Sequence, residues 1–297
     1  TDTVFQAFVA GAELLINQIL GILVAAILAL FAFNMGVAGS LLDFVIDQTV
    51  VQMGTKINGL VSLNLAWGTL RDLANMLFIF ILLYISIMTI LRGASFNTKQ
   101  LLAKVIIVAL LINFSLFFTK VIIDISNTIA IGFYSSIVAN NNILGISGAV
   151  MDSLHFKDLY SFDVNKLKST GDLLVLGIMG PIFLIVATVI FLAIAFLFIV
   201  RYLILILLMV LSPLAYVGSL IPATQGQAKK WWDTLIKQAI FAPACLAMIW
   251  VSLTLLSGVL DASATTWDQM VGNPNGPGPG FVSLVLNYVL VMGFLVA

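Results

Sequence analysis

Charge is what this sequence has least of. Only 9% of its 297 residues are Asp, Glu, Lys or Arg, and 62% are hydrophobic; soluble domains carry about a quarter charged residues. That scarcity excludes an ordinary soluble fold. The thirteen basic residues balance the thirteen acidic ones, so the formal net charge is zero, which argues against sequence-specific nucleic acid binding. One cysteine, Cys245, excludes an intrachain disulfide, and one histidine, His155, leaves the imidazole and thiolate ligands of a zinc site almost absent. No H-E-x-x-H, no G-x-S-x-G and no carboxylate cluster occurs, so no enzymatic activity, no metal and no cofactor is expected.

What is present is apolar sequence in runs of membrane-spanning length, with a mean hydropathy of +1.17. The runs lack the ten-residue alternation of an outer-membrane barrel. The expected class is all-α, a polytopic transmembrane helical bundle of about five to six spans with interfacial amphipathic helices. The chain begins at Thr1 rather than Met and stops at Ala297 inside an apolar segment. A cleaved signal peptide and further C-terminal residues are the expectation.

Three regions follow. Residues 1–72 hold a span at 14–33, then an apolar stretch with Asp43 and Asp47 on one face. Two isolated carboxylates do not make a cation cage, so this reads as a surface-lying helix with a solvated face. Residues 59–72 form an interfacial lead-in with Trp67 at headgroup depth, closed by Arg71 and Asp72. With a signal peptide removed, Thr1 lies outside and residues 44–51 must re-cross; without one, 14–33 crosses once and the Asp helix lies on the outer surface.

Residues 73–260 are the transmembrane core. A span at 73–91 ends in a basic turn, Arg92, Lys99 and Lys104, which belongs on the cytoplasmic side. The helix starting near Leu101 has nothing to break it before Gly132, and it carries Asn113, Lys120, Asp124 and Asn127 on one stripe. Either the stripe is an intramembrane polar seam, which suits the deeper Asn113, or the helix leaves the bilayer with its polar face in water from Lys120 onward. Residues 140–172 form an external polar loop in which His155 reads as a surface histidine.

The stretch 173–221 contains one charge, Arg201. Basic turns at 92–104 and 229–237 should share the cytoplasmic side, while 261–280 has no Lys or Arg and should lie outside. An even number of crossings must separate the two basic turns, so 173–221 supplies one crossing, with helix breaks at Pro181 and Pro213. Such a helix is about 48 Å long, well beyond the ~30 Å hydrocarbon core. Arg201 then needs an acidic, carbonyl or lipid-phosphate partner.

Residues 223–240 read as a cytoplasmic amphipathic helix. Lys229, Asp233 and Lys237 lie at i, i+4, i+8, and Trp232, Ile236 and Ile240 on another stripe. Trp231 and Trp232 are expected at headgroup level, with Lys229, Lys230 and Lys237 as a basic patch for membrane lipid or for docking a cytoplasmic partner. A span at 244–260 follows Pro243. Residues 261–297 hold the loop GNPNGPGPG and a last apolar segment.

Two stretches carry a resemblance: AWGTLRDLANMLFIFILLYISIMTIL before the basic turn, and LILILLMVLSPLAYVGSLIPATQGQAKKWWDTLIKQAIFAP. Over residues 64–260 the chain resembles the TrbL-like polytopic component of type IV secretion and conjugation systems. The resemblance implies a homo-oligomeric platform in the cytoplasmic (inner) membrane of a bacterium, contacting pilin and other secretion-system subunits during protein or DNA transport. It implies no catalytic residues. The interval 140–172 is shorter than the large central loop of some members. The alternative is a secondary transporter or ion channel with a polar path at Asn113, Lys120, Asp124 and Arg201; against it, no inverted repeat is visible.

Overall fold

In the computed structural model, the described residues are 2–92, 98–141, 145–153, 170–221 and 224–263, and they contain helices and short turns with no strand. Among the described residues five helices are long and apolar enough to cross a bilayer: Leu15–Val51, Val61–Leu91, Ser115–Ala139, Gly180–Gly218 and Gln225–Leu255. The all-α, multi-pass membrane class follows directly. The turn 93–97, the loop 154–169 with His155, and the region 264–297 with its last apolar segment lie outside the described residues.

The helices are α1 Asp2–Ile46, α2 Met53–Gly59, α3 Val61–Arg92, α4 Thr98–Asn113, α5 Ser115–Asn141, α6 Gly145–Ser153, α7 Thr170–Gly218 and α8 Gln225–Ser263, with a π-helical turn at Asp47–Val51 between α1 and α2. Several bounds differ from the sequence reading. From Val61 onward the lead-in expected at 59–72 and the span after it are one helix, α3, while Gly59 closes α2. The helix expected from Leu101 to Gly132 is broken at Phe114. There the Asn113 amide donates back to Ala109 O (3.1 Å) and the Phe114 N–H closes a tight turn on Leu111 O (3.1 Å), a local competition that interrupts the helix. Part of the expected loop, 145–153, is the helix α6.

Prolines are the largest correction. Neither Pro181 nor Pro213 ends a helix, because α7 runs through both, and α8 runs through Pro243. A proline inside a helix lacks the N–H that would bond the carbonyl four residues back. For Pro213 that carbonyl is Met209 O, and the neighbouring Ser212 hydroxyl donates to it at 2.8 Å. For Pro243 it is Ala239 O, and the Ser126 hydroxyl of α5 donates to it. At Pro213 and Pro243 a hydroxyl thus restores what the ring removes, which is how membrane helices tolerate proline.

Contacts group the chain into two compact units, and α5, α7 and α8 each contribute to both. The first comprises Thr1–Ile46, Phe133–Phe196 and Leu246–Ala297. Within it α1 packs on α6, and Gly39 permits the approach: a Cβ there would come within 2.8 Å of Ser147 Cβ. Phe133 and Trp250 also meet, with ring centroids 6.2 Å apart.

The second unit comprises Asp47–Gly132 and Leu197–Cys245. It holds one apolar cluster around Met53, Ile123, Leu205, Met209 and Leu235, and another around Ala74, Ile112, Tyr216 and Val217. Polarity is inverted relative to a soluble protein. Large apolar side chains such as Ile79, Phe80, Phe117, Leu203 and Leu207 are exposed, while Arg201, Asn127, Ser115, Ser126, Thr119 and Ser212 are buried. In lipid, exposed apolar groups cost nothing and polar side chains join helices instead.

Candidate functional site

Arg201 sits on the part of α7 that belongs to the second unit and is 1% exposed. Its Nε donates to Gln238 O of α8 at 2.9 Å and its Nη2 to Asn127 Oδ1 of α5 at 2.7 Å. Its Nη1 is buried with no hydrogen-bond partner. Of the partner classes the sequence allowed, the structure supplies a carbonyl and adds a side-chain amide. Asn127 also directs its Nδ2 to Met53 Sδ at 3.0 Å.

The acceptors on α8 are consecutive carbonyls. Ala239 O, freed by Pro243, takes the Ser126 hydroxyl, and Gln238 O takes Arg201. Donors from α5 and α7 therefore converge on one turn of α8. Around them α7 and α8 run antiparallel: Phe198 meets Phe241 edge to face at 5.5 Å, Arg201 meets Gln238, and the Trp231 indole N–H reaches Leu208 O at 3.2 Å. Likewise α5 and α7 are antiparallel, with the Ser115 and Ser212 hydroxyls 3.1 Å apart, and Trp67 Nε1 of α3 donates to Ser115 Oγ at 3.0 Å.

The expected polar path does not assemble. Asn113 and Asp124 are exposed, and Lys120 donates to Asn58 Oδ1 at 3.2 Å. The residue that joins Arg201 is Asn127, the deepest of the stripe in protein. Its signal was the position itself, one helical turn beyond Asp124.

The expected tryptophan anchors are also placed differently. Trp231 is 8% exposed, inside the core, and Trp232 packs against it edge to face at 4.9 Å. Neither the burial nor the Leu208 bond suits a headgroup anchor. Trp67 is partly buried; Arg71 stacks over its ring at 5.1 Å and pairs with Asp72 at 2.9 Å. Lys229, Lys230 and Lys237 are exposed. Trp231→Phe is expected to lower stability by about 1 kcal/mol, the worth of one buried hydrogen bond with the ring retained, as measured by equilibrium unfolding in detergent.

Sequence reasoning set Asp43 on a solvated face, but in the first unit it is half-buried and caps α6. Its carboxylate accepts the Ser147 N–H at 3.0 Å and the Ser147 hydroxyl. A carboxylate at a helix N-terminus is favoured by the unpaired amides there. Asp47 takes other partners, Gln48 Nε2 at 3.1 Å and Gln52 Nε2. Among the described residues no group of His, Cys, Asp or Glu is arranged to hold a metal ion. Comparison with family models, with curated proteins and with solved structures returns no match to this chain.

Proposed function

We propose that the chain is a non-enzymatic, oligomer-forming platform subunit of a type IV secretion machine in a bacterial inner membrane. One observation carries the reading: buried polar groups are spent on joining helices. Arg201, Asn127, Ser126, Ser115 and Ser212 all hold one helix to another, and Asn113 and Asp124 turn outward instead of sharing a path with them. A scaffold needs such fixed helices, whereas a transporter needs polar groups free to meet a solute. The Gly180–Gly218 span, 39 residues, would measure about 58 Å as a straight helix, leaving length beyond the hydrocarbon for other subunits. The resemblance over residues 64–260 supplies the secretion context, with pilin and membrane lipid as partners.

The test is cross-linking of the full chain in native membranes followed by mass measurement of the detergent-extracted complex. An assembly several times the mass of one chain, carrying pilin or stalk subunits, is the expected result. A monomer that moves a small solute or ion in proteoliposomes overturns it. Arg201→Leu is expected to lower the yield of assembled complex, because the helices it joins are those the platform is built from.

A further inference from the structure

Within the second unit α2 lies along α5, and the two helices run antiparallel. Asn127 meets Met53, a Cβ on Gly54 would stand 3.9 Å from Asp124 Oδ1, and Lys120 donates to Asn58. Met53 and Ile57 are buried in the core, so Gly54 and Asn58 mark the flank of α2 that faces Asp124 and Lys120. Lys56 is two residues from each of them, about 200° around the helix. It therefore sits on the opposite flank, where it donates to Gln48 Oε1. Along the α2 axis it falls between the levels of Asp124 and Lys120, about 3 Å from either.

Asp124 lies inside the membrane-length segment Ser115–Ala139, with Phe117 and Phe118 exposed before it and Ile125 and Ile129 exposed after it. It is exposed itself, and among the described residues its carboxylate accepts no hydrogen bond and closes no ion pair, Lys120 being bonded to Asn58. An ionised group on such a surface is costly until it is paired. Lys56 is also exposed and is bonded only to a neutral amide. These two charges are opposite in sign, lie on opposite flanks and are nearly level. Copies of one chain inserted the same way in a membrane are related by rotation about its normal, which brings equal levels together. Opposite flanks that meet under such a rotation make a heterologous contact that closes into a ring.

We propose that the partner at this surface is a second copy of the chain, with Asp124 of one copy paired to Lys56 of the next. The contact belongs to the oligomer proposed above and rests on that reading. The test is native mass spectrometry of the detergent-extracted full chain over a dilution series. Asp124→Lys and Lys56→Asp should each raise the concentration at which the assembly dissociates about tenfold, because like charges then face each other. Combining the two should restore it. Both side chains are exposed, so helix content by circular dichroism should not change. In a Cys245→Ser background, a chain carrying Lys56→Cys co-expressed with one carrying Asp124→Cys should be joined by a short thiol-specific cross-linker, and neither chain should be joined to its own kind. An assembly undisturbed by both single reversals overturns the contact and leaves the oligomer standing, as does a folded double variant that stays dissociated or a failure of the mixed cross-link. A wild-type chain that is monomeric at every concentration overturns both.

Discussion

Arg201→Ala is expected to destabilise the protein by about 3–5 kcal/mol, the range for truncating a large buried side chain to alanine with the loss of its hydrogen bonds. The variant removes two charge-assisted hydrogen bonds, strands Asn127 Oδ1 in the core and empties the volume of the largest fully buried side chain. Reversible unfolding in mixed micelles measures it. The companion is Arg201→Met with Asn127→Leu, which removes both polar partners and keeps volume. Replacing a whole buried polar set with apolar groups is often close to neutral, so the double variant should recover most of what Arg201→Ala loses. A double variant as unstable as Arg201→Ala would mean that Arg201 acts on something other than its hydrogen-bonded neighbours.

The second large effect belongs to the other unit. Gly145 opens α6 at φ 93°, a conformation that costs a residue with a Cβ about 1–2 kcal/mol. A Cβ built there would also collide with the Asp43 carboxylate. Gly145→Ala should therefore cost about 2–4 kcal/mol, adding the loss of a cap worth about 1–2 kcal/mol to the backbone strain. Limited proteolysis and thermal unfolding both report it. Adding Asp43→Ala relieves the collision but not the strained φ, so it should return only the steric part; full recovery would refute the conformational component.

Much of the fold was legible because membrane helices are written in length and apolarity, which depend on nothing distant. The all-α class came from that alone, and the single crossing through Arg201 from the placing of the basic turns on one side. The helix ends were misread where the deciding atom lies elsewhere in the chain. Pro243 looks like a boundary until Ser126, 113 residues before the freed Ala239 carbonyl, supplies the missing donor. Trp231 and Trp232 looked alike as neighbours beside two lysines, yet only a fold could show that Trp231 turns to Leu208 and into the core. Asp43 was read from its own helix; its partner, Ser147, is 104 residues away in a stretch that composition marks as loop.

The convergence on α8 has a consequence for how such a chain can change over time. Arg201 and Ser126 both address main-chain oxygens, at positions 238 and 239. Any amino acid presents the same oxygen, so Gln238 and Ala239 are free to drift as far as these two bonds are concerned. The constraint passes instead to Pro243, whose ring leaves the Ala239 carbonyl without its helical donor. Paired-substitution statistics would thus find no partner for Arg201 on α8 and would undercount the ties that hold this helix.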